Sequence, residues 1–144
     1  GPSQITEYLR CIIKESRRFL SVAAMGASRQ YSVPVKLGPY QIPAGAALFM
    51  PQILPHRDAN VYAPDPDTFR PERWLKATDD MNESLVSFAV GPRNCIGQSL
   101  AIAELESVLP RLLLAYDFTL EEEGKLEYFL TLKFRGSRLN ATKI

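Results

Sequence analysis

A chain of 144 residues that is 46% apolar and 23% charged has the size and balance of one soluble globular domain, able to bury roughly 68% of its unfolded surface. Disorder is excluded on that balance. A formal net charge of +1, with acids and bases scattered, leaves no basic stripe to neutralise phosphates, so nucleic acid is not an expected partner. No run of about 20 apolar residues is present, and Gly1 to Gln4 form neither a charged nor an apolar leader, so the chain as it stands is expected to be soluble and to carry no address. Gly1-Pro2-Ser3 fits a processing scar and natural sequence equally well. Cys11 and Cys95 lie far apart without a C-x-x-C pair, which argues against a disulfide framework or a zinc site and for reduced thiols.

In chain order, Ile5, Tyr8, Leu9, Ile12, Ile13, Phe19 and Leu20 recur at helical spacing between Arg10, Lys14 and Arg17, which predicts an amphipathic helix over 5–20. From Val33 to Met50, short apolar runs alternate with Gly and Pro, the pattern of a small antiparallel sheet. Residues 51–94 hold six prolines among polar residues, and are expected to form a long meander with little regular structure. A loop of that length usually wraps a functional site, with a ligand standing in for the missing core. The apolar positions from Gly97 to Ala115 predict a helix with a wider apolar face than a surface helix needs. Pro110 should kink that helix or end it early, at about 3 kcal/mol if it ran straight through. In the tail, Tyr128–Phe134 and Arg138–Thr142 read as two strands joined by a turn at Arg135-Gly136-Ser137.

The chemistry concentrates in Phe88-Ala89-Val90-Gly91-Pro92-Arg93-Asn94-Cys95-Ile96-Gly97. A cysteine in a Gly- and Pro-restrained loop at the start of a helix stands where a thiolate is easiest to hold, because unpaired N–H groups and the helix dipole favour negative sulfur. Gly91 and Gly97 would let the backbone approach a flat ligand closely. Taken alone, Cys95 reads as a buried small hydrophobe. The loop around it reverses that reading, since it resembles the F-x-x-G-x-R-x-C-x-G haem-binding loop of the cytochrome P-450 family at every defined position.

That resemblance implies haem b (iron protoporphyrin IX) as cofactor, Cys95 as the iron ligand, and a haem-contacting role for Phe88, Gly91, Arg93, Cys95 and Gly97, with Arg93 pairing with a propionate. Glu15-Ser16-Arg17-Arg18 is similar to the family's E-x-x-R pattern. By itself an acid and base three residues apart is usually a solvated pair. Phe69-Arg70-Pro71-Glu72-Arg73-Trp74 also resembles the family, and the combination implies a buried structural triad of Glu15, Arg18 and Arg73. Arg29 falls close to where the family places another propionate-binding arginine. His56-Arg57-Asp58, with Tyr62, Pro64 and Pro66, resembles the approach to the meander, and His56, the one histidine, is expected to be a hydrogen-bonded structural residue. Where the family commonly has a proline-rich bend after the triad arginine, this chain reads Phe19-Leu20-Ser21-Val22-Ala23-Ala24.

The fold implied is α+β and mainly helical, with residues 1–144 forming the C-terminal, haem-binding part of the cytochrome P-450 fold: E-x-x-R helix, small antiparallel sheet, meander, cysteine loop, following helix and C-terminal β-hairpin. Nothing corresponds to the family's distal oxygen-activating helix, so no catalytic residue is expected in this stretch and it should not turn over substrate alone. The leading expectation is a monooxygenase, present as a fragment, acting on a small organic substrate with electrons from a flavin reductase or a ferredoxin-type donor. An O2-independent haem-thiolate isomerase or dehydratase, and a non-catalytic haem- or partner-binding module, are the rival readings. The wording around Cys95 resembles membrane-bound eukaryotic members, which implies a full-length protein anchored on the cytoplasmic face of the endoplasmic reticulum.

Overall fold

The computed structural model describes residues 2–129 and 131–144. Its architecture is α+β, with helices and small antiparallel ladders. Gly1, the first residue of the candidate scar, and Leu130, inside a predicted strand, lie outside the described residues.

Helix α1 (Pro2–Phe19) forms where the helical spacing placed it. Cys11, Glu15 and Arg18 share one face, at i, i+4 and i+7, and all three are buried. The next stretch holds β1 (Ser28–Gln30), β2 (Val35–Leu37), β3 (Tyr40–Ile42) and β4 (Ala47–Phe49). β2 and β3 make a hairpin with Leu37 opposite Tyr40, and β1 pairs with β4 around it, Ser28 opposite Phe49. The first strand begins five residues before the predicted sheet, because Ser28-Arg29-Gln30 has no apolar alternation to announce it; only its partner β4 makes it a strand. Gly26 enables the entry to this sheet. Its φ is +65°, and a side chain there would run into the Met50 carbonyl oxygen.

The meander, expected to hold little regular structure, has somewhat more of it than that. It contains short helices α2 (Ile53–His56), α3 (Ala59–Tyr62) and α4 (Asp79–Ser84), and 3-10 turns at Pro71–Lys76 and Gly91–Arg93. Local side-chain caps explain two of them: the Asp58 carboxylate accepts from the Asn60 N–H, and the Thr78 hydroxyl accepts from the Met81 N–H. Nor does the meander lack a core. Tyr62, Trp74 and Met81 pack with Cys11 of α1, so part of the meander has an apolar core of its own. Single turns this short leave no periodicity to read.

Helix α5 (Gln98–Ala115) follows the cysteine loop and runs on through Pro110, so of the two expected effects, a kink or an early end, the early end does not occur. None of its residues is buried. The tail is also corrected. It contains four strands, β5 (Tyr116–Glu122), β6 (Lys125–Phe129), β7 (Thr131–Arg135) and β8 (Arg138–Lys143). The segment read as one strand, Tyr128–Phe134, is instead the tip of a β6–β7 hairpin, with Phe129 opposite Thr131. The turn at Gly136 (φ +81°) exists, but it leads β8 away to pair with β5. Alternating side chains continue across a tight turn, which is why one run looked like one strand.

Candidate functional site

The site rests on a buried ionic base. The Glu15 carboxylate, fully buried, accepts hydrogen bonds from Arg18 Nε (2.9 Å) and Nη2 (2.7 Å), Arg73 Nε (3.2 Å), the Trp74 indole Nε1 (2.8 Å) and the Arg70 backbone N–H (2.8 Å). Arg18 spends its other donors on the carbonyls of His56, Pro66 and Thr68, and Arg73 on those of Tyr62, Asp65 and Thr68. The two guanidiniums thus satisfy the meander's own backbone, which has no ladder to supply partners. Burial pushes the Glu15 carboxyl up, but the donors from Arg18, Arg70 and Trp74 outweigh it and hold it below the usual carboxylate range. The structure therefore brings Glu15, Arg18 and Arg73 together; Trp74 and the Arg70 amide are members that motif spacing did not identify. Trp74 was legible in principle, as the aromatic directly after Arg73.

The cysteine loop is closed on itself. The Cys95 N–H donates to the Phe88 carbonyl at 2.8 Å, and the Asn94 N–H to that of Gly91 at 3.1 Å. Ala89 (φ +58°) and Gly91 (φ +73°) carry the left-handed backbone that folds the loop back. Cys95 is an exposed free thiol, not the buried hydrophobe a lone cysteine suggests. A side chain at Gly97, the N-cap of α5, would meet its sulfur at 3.9 Å, so the thiol lies over the N-terminal end of that helix. For Gly97 this is ordinary contact rather than a clash, and at Gly91 a side chain would meet nothing within 4 Å. Within the chain, conformation rather than space explains Gly91.

Beside the loop is an open cavity of about 800 Å³, bounded by the β1 edge, the Met50–Pro55 segment and the first half of the cysteine loop. Arg29 and Arg93 both line it. Arg29 donates only to the neighbouring Ser28 carbonyl, and among the described residues Arg93 has no hydrogen-bond or ion-pair partner. Two cations with no carboxylate facing one cavity fit an anionic ligand. Cys95, Gly91, Gly97 and Phe88 do not line it; Phe88 lines instead a smaller apolar groove of about 250 Å³ against α1 and α5.

His56 departs from expectation. It is fully buried, as a structural residue should be, yet neither ring nitrogen has a hydrogen-bond partner among the described residues. Burial, then the charges of Arg18, Arg17 and Arg57, push its pKa down to about 4, so it is a neutral imidazole. Its backbone carbonyl, not its ring, ties it to Arg18. Among the described residues no group of three His, Cys, Asp or Glu side chains is arranged to hold a metal, and no helix is long and apolar enough to cross a membrane.

The geometry is that of a protein built around one presented cysteine, on a base locked by arginines. Residues 4–139 match the family model described as cytochrome P-450. A probable cytochrome P-450 4d20 of Drosophila melanogaster is 38% identical over 117 residues, covering 79% of this chain and 22% of the relative. The cytochrome P-450 monooxygenase tpeC of Talaromyces stipitatus is 35% identical across 82% of this chain and 24% of its own length, and benzoate 4-monooxygenase bphA of Aspergillus niger 30% across 83% and 24%. This chain belongs to the cytochrome P-450 family, and it spans less than a quarter of the length of these relatives.

Proposed function

We propose that residues 1–144 supply the C-terminal, thiolate side of a haem-thiolate monooxygenase, with Cys95 as the iron ligand and haem b as the cofactor. The observation that carries this is the closed loop that presents an exposed Cys95 thiol over the α5 N-terminus, next to a cavity holding the uncompensated cations Arg29 and Arg93. The residues present fit the group. A single thiolate suits an iron that takes its other bonds from a macrocycle, and paired arginines suit two propionates. Bound there, haem would supply the oxygen and electron chemistry that no side chain of this stretch can.

What the chain itself contributes is orientation and charge. Arg29, on β1, and Arg93, in the loop, approach the cavity from two separate elements, so together they fix a dianionic edge in direction as well as position. The Cys95–Phe88 hydrogen bond fixes the backbone from which the sulfur projects, and the positive end of the α5 dipole lies beneath the sulfur. The Glu15 network holds the meander through the carbonyls of His56, Tyr62, Asp65, Pro66 and Thr68. The whole protein is proposed to act on a small organic substrate with electrons from a flavin reductase or a ferredoxin-type donor, and to be anchored on the cytoplasmic face of the endoplasmic reticulum.

The test is the absorption spectrum of the chain loaded with haem, reduced and exposed to carbon monoxide, against Cys95→Ser. A thiolate-type band that is lost in the variant is the expected result. A band that survives in Cys95→Ser would overturn the ligand assignment.

A further inference from the structure

Among the charged side chains of α1 that take no part in the Glu15 network, Arg17 is set apart by what it touches. Arg17 lies on the row that includes the buried Leu9 and Ile13, facing α5 and the cysteine loop, where apolar residues would be expected. Its Nε donates to the Ser87 hydroxyl at 3.0 Å, and its guanidinium stacks over the Phe88 ring at 4.7 Å from the centroid. Among the described residues no carboxylate pairs with it, and burial lowers its pKa. A half-buried guanidinium without a counter-charge is costly to keep, and both of its partners are consecutive residues of one loop.

Those two residues are where the loop begins. Phe88 provides the carbonyl that receives the Cys95 N–H, and the Ala89 N–H closes a turn onto the Val86 carbonyl at 2.8 Å. The loop has few other anchors: residues 90–96 are exposed throughout. We propose that Arg17 is the positioning residue of the cysteine loop: by gripping Ser87 and Phe88 from α1, it fixes the carbonyl that holds the Cys95 amide and so the direction of the thiol. Its consequence for haem rests on Cys95 being the iron ligand, whereas the grip itself does not.

The test uses the full chain, first without haem. Hydrogen exchange at the Cys95 amide, followed by NMR, should be roughly tenfold or more faster in Arg17→Met, which keeps the side chain's length but loses the charge-assisted donor. Arg17→Lys, which can still donate to Ser87, should recover part of the protection. Fluorescence of Trp74, the only tryptophan, should be unchanged in both, because the Glu15 network is untouched. Should Arg17→Met fail to fold, Ser87→Ala decides: it removes one acceptor of the grip and should still speed exchange severalfold. With haem loaded, the thiolate-type band should weaken in Arg17→Met and return in Arg17→Lys. Unchanged Cys95 exchange in a folded Arg17→Met overturns the proposal even where the wild-type band is present. Faster exchange in a chain whose wild type gives no such band upholds the grip and removes the ligand reading instead.

Discussion

At the scale of single residues, Glu15 has the largest leverage. Among the described residues it is the one carboxylate facing two buried guanidiniums, so Glu15→Gln strands both. Breaking a buried pair by removing one partner costs about 3–5 kcal/mol, a large share of a domain's total. Urea unfolding followed by Trp74 fluorescence should show the unfolding free energy fall by that amount, with a correspondingly lower midpoint. Arg10→Ala removes an exposed ion pair to Glu106 at the same nominal distance class, 2.9 Å, and should change stability by less than about 1 kcal/mol. His56 adds a pH dependence. Its folded pKa, about 4, lies below the ordinary 6.5, so the unfolded chain binds the proton first on acidification. The stability it contributes is full above pH 6.5 and is lost as pH falls towards 4, by roughly 3 kcal/mol in all. Glu15, also depressed, extends the same trend to lower pH. Urea midpoints measured between pH 7 and 4.5 should decline for the wild type and much less for His56→Leu, whose side chain needs no partners for ring nitrogens that have none.

The elements differ in how much of each was legible. Helix α1 and helix α5 announce themselves by periodicity, and the cysteine loop by its spacing. The meander's short helices were illegible because turns this short leave no periodicity; local caps at Asp58 and Thr78 start two of them, and Arg18 and Arg73 reach the carbonyls of His56 and Tyr62 from elsewhere. Strand β1 depended on a partner about 20 residues away, and the split of β6 from β7 on a turn without Gly or Pro at its tip. Arg17 could be read only as a solvated charge, since nothing in sequence says that Ser87 and Phe88 face it. Helix α5 carries its own prediction. Leu100, Leu112, Leu113 and Leu114 are 65%, 40%, 54% and 79% exposed, and Ile96 fully so. An apolar surface of that extent promotes association. The isolated chain should self-associate in sedimentation velocity, and Leu113→Lys with Leu114→Lys should shift it towards monomer without lowering the urea midpoint. A monodisperse wild-type monomer at high concentration would contradict this.

For the whole molecule, the sites are distributed over one support. One side of α1 bears Glu15 and Arg18, from which the meander hangs, and the adjoining side bears Arg17, which reaches the cysteine loop. These faces are set by angle alone, since each residue turns an α-helix by about 100°. A single-residue deletion between Arg10 and Lys14 would rotate everything before it relative to everything after it, carrying Cys11 and the apolar row out of phase with Glu15, Arg17 and Arg18. Point changes on this helix are graded in effect, but changes of length are not. A helix that serves two neighbours at once can be altered in chemistry far more freely than in count.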